Sequence, residues 1–127
     1  MSVTGPQRFW NRVAARYAAR PLKDVAAYEA LLGDVAGRLQ PTDTVLEIGC
    51  GTGGTAIRLA PRVAHWLATD FSSEMVRIAQ AKPGGDTVPF AVIVPVHRHQ
   101  AAFCAVQAAI LTPVAASGSR ASCLAMI

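Results

Sequence analysis

The sequence predicts an α/β fold built on a short parallel sheet that follows two helices. From Thr44 onward the predicted elements alternate as strand, helix, strand, helix and strand, which is typical of a parallel sheet whose strands are joined by helices. Hydrophobic residues make up 52% of the 127 residues and charged residues 16%, which is the composition of a globular domain rather than of a disordered segment. These observations predict one domain with a buried core.

Two amphipathic helices are predicted before the sheet. The first spans 7–19 and ends before Pro21, and the second spans 24–39, with Asp24 as its cap and Pro41 as its stop. The first helix carries an arginine every four residues, at Arg8, Arg12, Arg16 and Arg20. We interpret this row as a solvated helix face because apolar residues form an opposing stripe, and an organellar presequence is the alternative.

The sheet is predicted to begin at 44–48, a β-branched run that ends directly at a glycine. The later elements are predicted at 53–60 (helix), 65–69 (strand ending at Asp70), 72–81 (helix capped by Ser72 or Ser73) and 89–94 (strand). Pro89 and Pro95 flank the last of these, which confines it to a sheet edge or to a short length.

The last third of the chain differs in composition from the rest. All eight acidic residues lie at or before Asp86. We expect an Ala-rich helix at 100–111, a loop at 117–119 and frayed residues at the end of the chain. The predicted organisation is a helical segment at 1–43, a partial sheet core at 44–96 and an atypical Ala-rich tail at 97–127. The last strand would expose an apolar edge, which favours self-association.

Charge and cysteine content argue against several classes of function. The net charge of +4 comes without a basic patch interleaved with aromatic residues, so nucleic-acid binding is not predicted. Cys50, Cys104 and Cys123 form no C-x-x-C pair, which argues against a zinc site and for reduced thiols in a cytoplasmic protein. The N-terminus has no apolar secretory segment, and the stretch 100–117 is too short and too polar for a membrane span. We therefore expect a cytoplasmic protein with no metal, membrane or nucleic-acid partner.

The most informative segment is 45–54, where a strand runs straight into glycines that open a helix. Glycine is needed where the chain turns sharply and where a ligand must touch the backbone. Ligands of open α/β sheets bind at such carboxyl ends of strands. The glycines also fit the dinucleotide fingerprint G-x-G-x-x-G at 49–54, which is a weak signal by itself.

Two carboxylates near this loop favour a cationic ligand. Glu47 lies two residues before the first glycine, and Asp70 ends the second predicted strand, where an acid accepts hydrogen bonds from a ribose diol. A pyrophosphate beside the loop would be repelled by Glu47, whereas a sulfonium or an amino group would be stabilised by it. A nicotinamide oxidoreductase is therefore disfavoured, and a positively charged nucleoside such as S-adenosylmethionine is favoured.

The sequence here resembles the class I S-adenosylmethionine-dependent methyltransferases that act on small molecules. The E-x-G-x-G-x-G segment at 47–53 is similar to the first motif of that family, and ATDFSSEM at 68–75 is similar to the second. The opening RFWNRVAARY at 8–17 resembles the helix that precedes the family's core and lids the cofactor. The resemblance covers about residues 7–82 and implies an incomplete Rossmann-like parallel sheet of about three strands preceded by two N-terminal helices.

The resemblance implies a role for each matched residue of these motifs. Glu47 would hold the amino end of S-adenosylmethionine through water, and Asp70 would bind the ribose hydroxyls. The backbone of the glycine loop would pass under the methionine part of the cofactor, at Gly49, Gly51 and Gly53.

Three further residues complete the implied cofactor site. Phe71 and Met75 would flank the adenine, and Tyr17, in the helical lid at 1–43, would close over the carboxylate end of the cofactor. The family's reaction is a direct in-line displacement of the methyl group by a substrate nucleophile, so the protein's work is alignment and exclusion of water. The resemblance implies no metal.

The chain also departs from the family's pattern. The third acidic motif and the fourth-strand motif, which faces the methyl group and the acceptor, have no candidates, since no carboxylate follows Asp86. We expect the methyltransferase pattern to be truncated after about residue 84–90, with out-of-frame or replaced sequence following it. A continuation of the pattern in another reading frame of the gene would support a frameshift. The predicted function is methyl transfer to an unknown small-molecule acceptor, with an inactive cofactor-binding fragment as the alternative. No catalytic residue is assigned.

Overall fold

The structure is a computed structural model, and it describes residues 5–93 and 121–125. The helices are α1 (Gly5–Ala19), α2 (Val25–Arg38), α3 (Gly54–Leu59) and α4 (Ser73–Ala81), and the strands are β1 (Thr44–Ile48), β2 (His65–Asp70), β3 (Phe90–Val92) and β4 (Ala121–Ala125). Two short 3-10 turns lie at Ala60–Arg62 and Gly85–Thr87. The α/β fold with two N-terminal helices is thereby confirmed.

All pairings in the sheet are parallel, and the strand order is β3-β2-β1-β4. The register pairs Ile48 at the end of β1 with Thr69 near the end of β2. The carboxyl ends of the two central strands therefore lie side by side. This edge of the sheet is where the glycine loop and Asp70 meet.

The two outer strands differ from the sequence predictions. β3 is an edge strand, as its prolines indicate, but it is shorter than the predicted 89–94. Pro89 has no N–H for the ladder, yet its carbonyl accepts a hydrogen bond from the Ala68 N–H at 3.0 Å. Residues 121–125, in the stretch predicted to be frayed, instead form β4, which adds a fourth strand in parallel register with β1. The predicted helix at 100–111 and loop at 117–119 lie outside the described residues.

Local capping sets two of the helix starts where the sequence placed them. The Asp24 side chain accepts the N–H of Ala27 at 2.8 Å, and the Ser72 Oγ accepts the N–H of Met75 at 3.2 Å. α1 begins two residues before its predicted start, because Pro6 fits the first turn of a helix. α3 ends at Leu59, and the predicted end at Ala60 falls in a 3-10 turn instead.

The core lies between the sheet and the helices α2 and α3. Its buried members from the sheet include Val45, Trp66 and Ala68, and α2 contributes Leu32. Two polar contacts join α2 to α3. The hydroxyl of Tyr28 lies 3.2 Å from Thr55 Oγ1. Arg58 and Glu29 form a bidentate ion pair with N···O distances of 2.6 and 2.9 Å. This packing holds α3, and the glycine loop that precedes it, against the sheet.

α1 packs against α4 on the outside of this core. Ala14 is buried at the contact, and Asn11 Oδ1 accepts hydrogen bonds from Ser72 Oγ at 2.6 Å and from the Glu74 N–H at 3.4 Å. The first helix is thereby tied to the start of α4, two residues beyond Asp70. A lid function for 1–43 stays a prediction.

Candidate functional site

The glycine loop leaves β1 with a left-handed backbone at alternate residues. Gly49, Gly51 and Gly53 have φ angles of 73°, 56° and 78°. The Cys50 N–H between them donates to the Thr69 carbonyl at 2.9 Å, which fastens the loop to β2. Only glycine adopts such φ values without strain, so this alternation requires the three glycines that the sequence singles out.

Two glycines of the loop, Gly51 and Gly53, have different surroundings. A Cβ at Gly51 would meet nothing within 4 Å, so this residue borders open space. A Cβ at Gly53 would lie 2.8 Å from Ala79 Cβ and 2.8 Å from the Phe90 ring, so this glycine allows close packing on α4 and β3. Gly51 is therefore the point of the loop at which a ligand can approach the backbone.

Asp70 connects the loop to the end of β2. Its Oδ2 accepts the Gly51 N–H at 2.9 Å, and its Oδ1 accepts the Ser72 N–H at 2.8 Å. The residue is buried, with 7% of its surface exposed. Each carboxylate oxygen has two acceptor sites, so Asp70 retains capacity for two hydroxyl donors after binding these amides.

Glu47 lies fully buried beneath the loop. Its Oε1 accepts a hydrogen bond from the indole N–H of Trp66 at 3.4 Å, and Oε2 has no hydrogen-bond partner among the described residues. Burial raises the pKa of Glu47 to about 7; the Trp66 hydrogen bond opposes this shift, and the negative charge of Asp70 adds to it. An orphaned, fully buried carboxylate oxygen is costly unless a donor or cation reaches it.

Cys50 lies inside the loop as a buried free thiol. Burial raises its pKa to about 12, and the carboxylates of Glu47 and Asp70 add to this shift. Since the thiolate is the reactive form, Cys50 is a poor nucleophile at neutral pH.

The remaining predicted site residues lie on α1, directly after β2 and in the first turn of α4. Phe71 is half-buried directly after Asp70, and Met75 is buried in the first turn of α4. Tyr17 is 51% exposed, and its ring lies edge-on to that of Trp10 with centroids 6.2 Å apart. The structure thus brings Glu47 and Asp70 together at the loop, whereas contacts of these three side chains with an adenine or a carboxylate stay predictions.

Sequence reasoning missed three polar contacts around the site. These are the Trp66–Glu47 hydrogen bond, the Asn11–Ser72 hydrogen bond and a 2.8 Å hydrogen bond from Lys82 Nζ to Thr52 Oγ1 in the loop. Burial lowers the pKa of Lys82. Only the first had a usable signal, because residues two apart on a strand share a face and neighbouring parallel strands face the same way.

In 5–93 and 121–125 no group of three or more His, Cys, Asp or Glu side chains is arranged to hold a metal ion. Within the same residues no helix is both long and apolar enough to cross a bilayer.

Comparison with solved structures finds matches to DhpI. The match to a solved structure of the complex of DhpI with SAH has a TM-score of 0.57 and 22% identity. It covers 69% of this chain and 43% of the DhpI chain. The match to a second solved structure, a complex of DhpI with SAM and HEP, has a TM-score of 0.57 and 21% identity. It covers 72% of this chain and 45% of the DhpI chain. At these identities the likeness concerns the fold, and the chain spans less than half of either solved chain.

Sequence comparison gives a short match and a longer one. Chondramide synthase cmdD of Chondromyces crocatus is 64% identical over 33 residues, which are 26% of this chain and 1% of that protein. A family model described as a methyltransferase domain matches residues 45–109, from β1 through the loop and Asp70 and beyond β3. This match spans just over half of the sequence, so the chain belongs to the methyltransferase domain family.

Proposed function

We propose that the chain binds S-adenosylmethionine and acts in methyl transfer to a small-molecule acceptor. The observation that carries this proposal is the fully buried Glu47 carboxylate, whose Oε2 has no partner among the described residues, beneath a glycine loop that borders open space. Such an oxygen is stabilised by a cationic ligand and destabilised by an anionic one.

The residues of the site fit an aminoacyl nucleoside better than a dinucleotide. Glu47 and Asp70 are both carboxylates, and each acts electrostatically on Cys50, which lies between the glycines. A pyrophosphate in this loop would add two further negative charges to the same small volume. A ligand with an ammonium group and a ribose offers the loop a cation and two hydroxyl donors instead.

Each matched residue has a defined task in this proposal. Asp70 holds the ribose hydroxyls with the acceptor sites that Gly51 and Ser72 leave open, and Glu47 balances the charge of the amino end through water. Phe71 and Met75 flank the adenine. The left-handed backbone at Gly51 lets the ligand lie close to the chain, and Tyr17 closes over the carboxylate end.

The bound cofactor supplies an electrophilic methyl group on a sulfonium sulfur. The protein's contribution is to fix the cofactor's orientation and to keep water from the methyl group, since an in-line displacement gains most from alignment. The titles of the DhpI structures, which name SAH and SAM, support the choice of cofactor. The sequence resemblance supports a small-molecule acceptor. The absence of a C-x-x-C pair among the three cysteines supports a cytoplasmic location.

Calorimetry of the full chain with S-adenosylhomocysteine tests the proposal. We expect micromolar binding to the wild type, and a loss of about 1–3 kcal/mol in Asp70→Asn, because the variant has one acceptor oxygen fewer and no charge. Asp34→Asn, on the exposed face of α2, is the matched control and should bind as the wild type does.

The outcomes separate the proposal from the alternative of an inactive fragment. Absence of heat at millimolar ligand with a folded chain would contradict the proposed binding and favour a fragment that binds the cofactor weakly or not at all and has no catalysis. Equal affinities of Asp70→Asn and wild type would show that Asp70 does not hold the ribose.

A further inference from the structure

Trp66 and Glu47 form a buried polar contact that the cofactor-binding motifs do not contain. Trp66 is in register with Val45 on the neighbouring strand, so its side chain lies on the face of the sheet that Glu47 shares two residues later. Trp66 is 4% exposed and Glu47 is fully buried. The indole N–H reaches along the strand to Glu47 Oε1 at 3.4 Å, while Oε2 lacks a partner in the described part of the chain.

This contact supplies a hydrogen-bond donor where other stabilising groups are scarce. The register neighbours of Glu47 are Ala68 on β2 and Leu124 on β4, and neither ionises. Among the described residues, the ionisable group that acts on Glu47 is Asp70 at the end of β2, whose carboxylate opposes ionisation.

The charged side chains of α2, α3 and α4 pair with one another: Arg58 with Glu29, Arg38 with Asp34, and Glu74 with Arg77. Lys82, which directly follows α4, donates to Thr52 in the loop. Among the described residues, the indole N–H is therefore the group that favours the charged carboxylate, and its hydrogen bond opposes the upward pKa shift that burial imposes.

We propose that Trp66 is a positioning residue, whose indole N–H holds Glu47 Oε1 so that Oε2 is directed, as a carboxylate, to the cationic end of the bound cofactor. The inference rests on the proposed function, because it assigns Trp66 to the site that binds S-adenosylmethionine. It adds a regulatory consequence: binding is strongest when Glu47 is ionised, so affinity falls as the pH is lowered below neutrality.

The test is calorimetry with S-adenosylhomocysteine between about pH 6 and about pH 8.5. Any titration of the ligand's own groups in this range affects every variant equally, so differences between variants report on the protein. In the wild type we expect affinity to rise with pH to a plateau, with a limiting slope of about tenfold per pH unit. In Trp66→Phe the midpoint should move up by about one pH unit, because a donor to the charged form is lost. Affinity then falls near neutral pH and recovers at the upper end of the range.

Two further proteins keep this test independent of folding. Trp66 belongs to the core, so Trp66→Phe leaves a small gap there. Replacing Trp66 by benzothienylalanine, in a Trp10→Phe background, removes the N–H and keeps the shape of the ring, and should shift the midpoint in the same direction. Trp10→Phe alone is the reference for this protein, so the shift is measured between the two proteins that share this background.

The outcomes distinguish the two proposals. A variant whose affinity is reduced equally at every pH, or whose midpoint does not move, overturns the positioning role and leaves cofactor binding standing. Glu47→Gln should abolish the pH dependence, and Trp66→Phe in that background should add no shift; an added shift also overturns the role. If the folded wild type does not bind S-adenosylhomocysteine at any pH, the proposed function fails and this inference with it.

Discussion

Glu47 has a carboxylate that is fully buried, with one oxygen unpartnered among the described residues and a pKa raised to about 7. A charged group in this position destabilises the ligand-free fold, since its desolvation is not balanced by a cation. The same charge is what a cationic ligand would meet on binding. Stability and binding therefore make opposite demands on this residue.

Glu47→Gln should stabilise the ligand-free protein at alkaline pH and weaken cofactor binding. The folded-state pKa of about 7 lies above the ordinary value of 4.5, so the contribution of the neutral carboxyl is fully present below pH 4.5 and is lost as the pH rises through 7. The gain of the variant over the wild type at about pH 8 should reach about 3 kcal/mol at most. Chemical denaturation at several pH values measures it.

The control for this effect is Asp34→Asn, which removes a charge from an exposed position on α2. Its stability should follow the wild-type pH profile. A Glu47→Gln variant whose difference from the wild type is the same at about pH 5 and about pH 8 would contradict the raised pKa.

Two glycines of the loop should respond differently to the same methyl group. Gly51→Ala places its Cβ in open space at a φ of +56°, so it should cost about 1–2 kcal/mol of stability and weaken S-adenosylhomocysteine binding. Gly53→Ala adds a clash at 2.8 Å with Ala79 and Phe90 and should lower stability further. Thermal melts and calorimetry on both variants check this; equal losses of stability would refute the distinction.

At the scale of secondary-structure elements, the link between α1 and α4 depends on Asn11. Asn11→Ala removes the acceptor of the 2.6 Å hydrogen bond from Ser72 and should cost about 1 kcal/mol. Amide exchange in α1 should become faster, since this bond ties the helix to the start of α4. Arg12→Ala changes the next, exposed residue and should not accelerate exchange; unchanged exchange in Asn11→Ala would show that apolar contacts alone hold α1.

The same elements show which parts of the fold the sequence could predict. The caps at Asp24 and Ser72 are local, because a side chain binds an amide three residues ahead, so the spacing alone predicts them. The Asn11–Ser72 contact joins distant segments and has no local signal. β4 escaped prediction because Ala121–Ala125 contains no β-branched residue, and its pairing with β1 uses only backbone groups.

The candidate site divides in the same way. The glycine spacing and the two carboxylates were visible in the sequence, because loop conformation and strand ends are set locally. The hydrogen bond from Trp66 to Glu47 depends on the register between two strands, which the pattern of either strand alone does not fix.

At the scale of the whole molecule, the sheet ends on the short edge strand β3. Val92 on this strand is 42% exposed, and unpaired edge strands favour association between chains. We propose that the chain self-associates there, so the sedimentation coefficient should rise with concentration. Val92→Lys should suppress the rise, whereas Leu31→Lys, at an exposed position on α2, should not; a wild type that sediments as a monomer at every concentration would contradict this.

The functional assignment depends on the claim that the ligand bound at the glycine loop is positively charged there. Calorimetric titration of the full chain with S-adenosylhomocysteine and, in parallel, with NAD tests it most directly, since one ligand brings an ammonium group to the loop and the other a diphosphate. We expect heat from S-adenosylhomocysteine and none from NAD at equal concentrations. Binding of NAD in place of S-adenosylhomocysteine would contradict it.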